Sequence, residues 1–312
     1  MKITFLYPDS PISPHFSHLT WAKSVCKNIV KTPIKIGFFD ISKIPVSDVL
    51  LIESLYCLPY AKIYKKRINP DCKIISIIAD TSFWKNKLNL FRIIYYKMYL
   101  DSIDGFIAVS ERIKRDIRNY TCKPVVVVRP FPVNAFRFKK YVFNKNILFI
   151  GNKTEEKGYK YLIESMKYLP NFELLLVGDC YKGIQDILSK NIHIEGRVKK
   201  LTNYFKKCSY YVHPADFDPC PVSVWESMSA GLIPIITKDV GQSEIFSNEL
   251  KKLILDNNKP ITIANKLTEI DGLSNHNKLK LSKKCKRIVE NYIKEKSIKA
   301  FRKSFFKLIN SI

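Results

Sequence analysis

No stretch of this chain approaches the roughly 18 uninterrupted apolar residues that a membrane-spanning helix needs, so nothing in it reads as a transmembrane segment. The eight cysteines, at positions 26, 57, 72, 122, 180, 208, 220 and 285, form no CxxC pair. That removes the usual zinc and redox-dithiol spacings, and a reduced, cytosolic protein is the natural reading. Acids are few: 28 Asp and Glu stand against 53 Lys and Arg, for a net charge of +25. Such a field draws anionic partners, whether nucleic acid, anionic lipid head groups or phosphorylated substrates. The excess contains no block of consecutive like charges, and lysine richness with abundant Ile and Asn is also what an AT-rich genome yields. No recognised nucleic-acid module occurs, so no nucleic-acid partner is expected.

What is present is a chain long enough for two domains of about 150 residues each. A hydrophobic content of 46% and a mean hydropathy of −0.11 fit a globular protein. The N-terminus, MKITFLYPDS, lacks the longer apolar stretch and small-residue cleavage site of a signal peptide and reads as a first strand. The first half alternates apolar runs with mixed segments, the pattern of a parallel α/β sheet. Expected strands are Ile3–Tyr7, Ile34–Phe39, Val49–Ile52, Lys73–Ile78, Gly105–Val109 and Val125–Arg129, with helices near 15–29, 56–67, 87–100 and 110–118. Ser110 is placed to cap the last of these. Prolines and charges in 130–145 break the pattern. The first domain is therefore set at 1–138, a linker at 139–145, a second domain at 146–288 and a terminal helical segment at 289–312.

Residues 83–100, FWKNKLNLFRIIYYKMYL, mix aromatics with Lys and Arg. Their second half (Ile93, Ile94, Tyr96, Met98, Leu100) has little polar surface and is expected to pack in the core. The turn at Phe83, Trp84, Lys85 and Lys87 is the candidate for contact with a membrane surface.

The most informative stretch is HPADFDPCPVSVWESMSAGLIPIITKDVGQSEIF, from His213 to Phe246. Pro219 and Pro221 stiffen a loop, Val222–Ala230 fits a helix stopped by Gly231, and Ile233–Thr237 fits a buried strand. Asp218 precedes the helix and Glu226 lies about 6 Å along its axis. A bare helix N-terminus between two acids suits a ligand with hydroxyls at both ends and phosphate in the middle, the layout of a nucleotide sugar. An acid-capped helix with an incidental second acid is the alternative.

An acid, seven residues, Glu, then a small-residue helix end with Gly and Pro resembles the signature of family 4 glycosyltransferases of the GT-B fold. The resemblance implies an α/β architecture of two Rossmann-like, doubly wound parallel-sheet domains facing a central cleft that holds the donor. It also implies that Asp218 contacts donor-sugar hydroxyls and Glu226 holds the ribose. Backbone N–H groups of Cys220, Val222 and Ser223 would face sugar and diphosphate; Pro219 and Pro221 have none to give. The loop GNKTEEKG is neither a Walker A loop nor a dinucleotide fingerprint. It is similar to the family's Gly-Arg…Lys-Gly loop, whose cations hold the diphosphate. Gly151, Gly158 and Lys157 match; Asn152 stands where Arg is usual, and Lys153 replaces part of the charge without Arg's bidentate fork. Gly178-Asp179 and Gly196-Arg197-Val198 read as further turns on the ligand side, the latter against the nucleotide base.

Departures from the family pattern concentrate in the first domain. Its first loop, PDSPISPHFSH, has three prolines where many members carry a Gly-Gly pair, and Asp80 stands near the usual position of a catalytically important His. His15, His18, Asp80 and Ser110 are therefore the acceptor-side candidates. Asp218 itself replaces the usual Glu. Asp216-Phe217-Asp218 spells the DxD metal motif of the other major glycosyltransferase fold, but that fold leaves Lys157 and Glu226 without a role, so neither metal nor cofactor is expected. The implied reaction is metal-independent transfer from a nucleotide-diphosphate sugar to an acceptor hydroxyl, with retention. A glycan or lipid-linked acceptor at an anionic membrane surface, on the cytoplasmic face, fits the charge. The rivals are an inactive GT-B scaffold and a basic nucleic-acid-binding protein.

Overall fold

The computed structural model describes residues 1–11, 13–34, 39–84, 89–136, 138, 142–152, 154–178 and 189–312. The expected site residues Lys153 and Asp179, the lysines Lys85 and Lys87, and most of the expected strand Ile34–Phe39 lie outside them.

The chain divides into two compact units, Met1–Phe131 with Lys294–Ile312, and Pro132–Ile293. The division runs ahead of residues 139–145, and the terminal segment joins the first unit from Lys294 onward. Each unit holds a six-stranded parallel sheet. In unit 1 the strands are β1 (Ile3–Pro8), β2 (Asn28–Thr32), β3 (Val49–Glu53), β4 (Lys73–Ile78), β5 (Gly105–Ala108) and β6 (Val125–Val127), in the order β2-β1-β3-β4-β5-β6. In unit 2 they are β7 (Asn146–Ile150), β8 (Glu173–Val177), β9 (Ile192–Gly196), β10 (Tyr210–His213), β11 (Ile233–Thr237) and β12 (Ile254–Leu255), in the order β12-β11-β10-β7-β8-β9. The helices are α1 (Phe16–Lys23), α2 (Leu58–Arg67), α3 (Leu90–Tyr99), α4 (Glu111–Arg118), α5 (Tyr159–Ser165), α6 (Thr202–Lys207), α7 (Val222–Ala230), α8 (Pro260–Asp271), α9 (Asn275–Val289) and α10 (Lys294–Ile309).

Central strands such as β3 (VLLIE) and β11 (IPIIT) are buried along their whole length. Parallel strands covered on both faces need unbroken apolar runs, and for that reason they stood out in the sequence. The edge strands β2 and β9 differ. In β2, residues 28–31 alternate between half-buried and exposed and Thr32 is buried, because among the described residues this edge strand pairs only with β1, registered from Thr4↔Asn28 to Pro8↔Thr32. It corrects the helix expected over 15–29, which ends at Lys23. No Gly or Pro separates α1 from β2, so local punctuation did not mark the change.

The core of unit 1 joins sheet residues Ile3, Phe5, Leu51, Ile75 and Ile107 to Trp21 on α1 and to Phe301, Phe305 and Leu308 on α10. Trp21 stacks on Phe301 with centroids 5.3 Å apart, and its Nε1 donates to Ser297 Oγ at 3.0 Å. Gly105 lets α10 approach the sheet: a Cβ there would stand 2.9 Å from Leu308 Cδ1.

The segment 83–100 is packed the other way round from the sequence expectation. Phe83 and Trp84 are buried, Phe83 stacking on Tyr96 at 5.2 Å and meeting Phe106 edge-on. Ile93, Ile94 and Met98 instead face outward on α3, while Tyr96 and Leu100 turn in. The tyrosines made the difference, because their rings bury while each hydroxyl finds a backbone carbonyl, Tyr96 on Ser82 and Tyr95 on Leu55.

Candidate functional site

In a doubly wound sheet, ligands sit beyond the carboxyl ends of the strands where the winding reverses. In unit 2 that point lies between β7 and β10, which lead into the loops 151–158 and 214–221. The two loops are in contact. The Asp216 N–H donates to the Glu156 carbonyl at 2.8 Å, and Gly158, at φ +71°, sits so close that a Cβ would come within 2.0 Å of the Pro214 carbonyl oxygen. Neighbouring strand ends are joined in the same manner. The Gly151 N–H donates to Val177 O, the Gly178 N–H donates to Gly196 O, and a Cβ on Gly178 (φ +131°) would stand 1.8 Å from Gly151 O. Gly196 has positive φ with open space around it. Four glycines thus strip this edge down to backbone.

Lys157 lays its stem across Gly151, where an added Cβ would lie 3.2 Å from its Cδ, and its charge reaches Asp218. Asn152 is exposed and accepts from the Thr154 hydroxyl at 2.9 Å. Arg197 and Val198 follow Gly196 on the rim of β9. Asp218 is seated by the fold as much as by its motif. Its N–H and carbonyl bridge to Asp239 and Gly241, its Oδ2 meets His213 Nε2 at 2.9 Å, and it accepts from the Cys220 N–H. Burial works against its charge. The His213 bond and charge, Lys157 and the Cys220 N–H outweigh that and hold the carboxyl below the usual carboxylate range. The Cys220 N–H, expected to face the donor, is therefore used within the loop. Asp216 turns elsewhere, accepting from Asn258 Nδ2 at 2.6 Å; the two acids of the DFD sequence do not share a partner.

His213 is fully buried at the end of β10. Its Nδ1 lies 3.5 Å from the Tyr211 hydroxyl, which donates to Ser223 Oγ at 2.7 Å. A chain of polar contacts therefore runs from the first turn of α7 to Asp218. That turn has no side-chain cap, Pro221 being the N-cap, so the N–H groups of Val222 and Ser223 point out of the helix start. Glu226 is only 6% exposed, with Oε1 accepting from the Asn134 N–H at 3.4 Å. Burial raises its carboxyl to about 7, against that one bond.

Unit 1 has its own switch point, between β1 and β3, and a second polar cluster is found there. Glu53 ends β3 with Oε1 accepting from the His15 N–H at 2.8 Å and paired with His18 Nδ1 at 2.6 Å. Among the described residues, Glu53 Oε2, His18 Nε2 and His15 Nδ1 are buried without a hydrogen-bond partner. Burial, then the neighbouring His18, lowers His15 to about 3, so it is a neutral ring. These side chains and Asp80 line a cavity of about 400 Å³ with Ser10, Ser13 and Tyr56. Asp80 accepts from Ser54 Oγ at 3.3 Å and from the Ser82 N–H at 2.8 Å. Ser54, a non-glycine residue at φ 66°, turns the chain out of β3 at this spot, a strained conformation of the kind that clusters at functional sites. Ser110 is fully buried and accepts from the Ile113 N–H, capping α4 away from this group.

Residues 133–295 match the family described as Glycosyl transferases group 1, just over half of the chain. The chain belongs to that family. Its fold is GT-B: HepE of Anabaena, solved in complex with UDP and glucose, superposes with a TM-score of 0.80 over 100% of both chains, at 13% identity. Among curated proteins, this group 1 glycosyltransferase is 22% identical over 187 residues to the uncharacterized glycosyltransferase YqgM of Bacillus subtilis, covering 53% of this chain and 51% of that one. It thus spans about half the length of that relative. An uncharacterized 41.2 kDa protein in the cps region of Klebsiella pneumoniae is 25% identical over 261 residues, 78% of this chain and 71% of that protein.

Of the expected donor-side residues, Lys157, Asp218, Glu226 and the four glycines lie on one edge of unit 2. Sequence reading missed His213 and Glu53. Each is a polar residue closing an otherwise buried strand, YYVH and VLLIE, and that position at a strand's carboxyl end was the available signal.

Proposed function

We propose that this glycosyltransferase moves a sugar from a nucleotide-diphosphate donor to an acceptor hydroxyl, with retention and without a metal ion. One observation carries the reading: Lys157, Asp218 and the uncapped start of α7 converge at the β7/β10 switch point, with Glu226 one turn inside the helix. The leaving diphosphate gains charge as the glycosidic bond breaks. Lys157 and the N–H groups of the first turn are positioned to stabilise that charge. Asp218, held ionised, accepts from sugar hydroxyls, and Glu226 accepts from the ribose. The acceptor hydroxyl binds in the Glu53–His18 cavity of unit 1, where three buried polar atoms have no partner among the described residues. The acceptor is a glycan or lipid-linked hydroxyl on the cytoplasmic side, where free cysteines such as Cys57 and Cys72 remain reduced. HepE's complex with UDP and glucose makes UDP-sugars the first donors to try.

The test is a thermal-shift and calorimetric screen of nucleoside diphosphates and their sugars, on wild type, Lys157→Ala and Glu226→Ala. Saturation at a hundred times Kd stabilises by about 2.7 kcal/mol. A shift with one nucleotide that both variants weaken supports the donor site. No shift at millimolar ligand favours an inactive scaffold, the reading that Asn152 and Asp218 also suit.

A further inference from the structure

The outward face of α3 is apolar. Leu90 is 69% exposed, Phe91 83% and Met98 53%, with Ile93 and Ile94 beside them. At 100° per residue these five fall on one side of the helix, with Lys97 as the only charge among them. The opposite side carries Tyr95, Tyr96, Tyr99 and Arg92, which turn inward; Arg92 donates to Thr81 O and Lys62 stands over the Tyr99 ring. Polar-capable residues in and hydrocarbon out is the inverse of an ordinary surface helix.

The face is continuous with the acceptor side. Phe91, Arg92, Tyr95 and Tyr96 form one wall of a groove of about 440 Å³ whose other wall is Ser54, Tyr56 and Asp80. Those same three residues line the cavity that holds Glu53 and His18. An apolar helix face, a tyrosine groove and a hydroxyl-seeking polar pocket thus follow one another.

We propose that α3 is a docking face for an anionic lipid bilayer and that the acceptor is lipid-linked, its hydrocarbon lying along the tyrosine groove and its hydroxyl in the Glu53–His18 cavity. This rests on the acceptor reading given above. Charge selects the occupant. Lys97 is exposed within the apolar face and Lys62 stands over the Tyr99 ring at its border, in a chain whose net charge is +25. Lys66, one turn beyond Lys62 on α2, is also exposed. Basic residues around an apolar face suit anionic head groups over an interfacial helix. A second copy of the chain would bring like charges together across a two-fold axis.

The experiment is cosedimentation with phosphatidylcholine vesicles, with and without phosphatidylglycerol, at about physiological ionic strength. Alongside it, the emission of a Phe91→Trp variant is read, since native Trp21, Trp84 and Trp225 are all buried. Wild type is expected to pellet with the anionic vesicles and weakly with the neutral ones. Trp emission should shift to the blue on binding. A Phe91→Asp/Ile94→Asp double variant should bind about tenfold or more weakly, because both side chains lose their transfer into lipid. Both are exposed, so its melting temperature and nucleotide response should match wild type. Absence of pelleting, equal pelleting by the double variant, or a wild-type dimer that the double variant dissociates would each overturn the proposal. A missing nucleotide shift would count against the donor reading alone.

Discussion

The two units of this member of the glycosyl transferases group 1 family place polar groups at the same topological point by different means. Unit 2 uses backbone: four glycines remove side chains from the strand ends so that loops touch and amides line the edge, and a few charges are then added. Unit 1 has proline-rich loops and no glycine at the corresponding turn, and fills its switch point with buried Glu and His side chains. A backbone-built site constrains residue type locally, so it leaves a motif. A side-chain-built site is assembled from residues such as His18 and Glu53 on separate elements, and leaves none.

The comparison can be broken hardest at Gly178. Gly178→Ala forces a side chain to positive φ and into Gly151 O, and should destabilise unit 2 by about 4 kcal/mol or more, read as loss of the cooperative melt. Lys157→Ala comes next: turnover of the donor should fall by about 10²–10³-fold with little change in melting temperature, checked by initial rates.

Glu226→Gln sharpens the contrast through pH. The wild-type carboxyl titrates near 7 when folded, against 4.5 for the free side chain. The fold therefore favours the protonated form, and wild type loses stability as pH rises from about 4.5 to 7. Gln has no charge to bury, so the variant should be more stable by about 3 kcal/mol above pH 7 and equal below pH 4. In the proposed donor site Glu226 accepts ribose hydroxyls in its ionised form, so wild-type affinity for the nucleotide should fall about tenfold per pH unit below 7 while the variant's stays flat. Denaturant melts and calorimetry across pH 4–8.5 check both.

Glu53→Gln keeps the shape of the unit 1 cluster and removes its charge. Transfer to acceptor should drop about tenfold or more with nucleotide affinity unchanged, which separates the two sites in one assay. The smallest effect is expected at Gly196→Ala. It has positive φ but nothing within 4 Å, so the cost should be about 1 kcal/mol, seen as a small shift in denaturant midpoint.

How much was legible follows the same division. Lys73–Ile78, Val222–Ala230 and Ile233–Thr237 have the expected bounds because buried parallel strands and a Gly-stopped helix carry unambiguous local patterns. The two acids and the loop ending in Lys157 were readable because the resemblance to the family signature fixes both residue type and spacing. The α1–β2 segment was misread because only pairing with β1 makes Asn28–Thr32 a strand. The 83–100 segment was misread because which face of an aromatic-rich helix turns inward depends on partners such as Phe106 and Tyr120, distant in sequence.

The sequence by itself determined the parallel α/β plan, the glycines at the strand ends of unit 2 and the placement of Asp218 before α7 with Glu226 inside it, since these depend on short-range periodicity and backbone sterics. Only the tertiary structure decided that His213 seats Asp218, that burial lifts Glu226 toward neutrality, that Glu53 joins the two histidines, and that α3 turns its hydrocarbon outward. Each of those depends on burial and on a partner from another element, and solvent exclusion is a property of the packed molecule, not of the local chain.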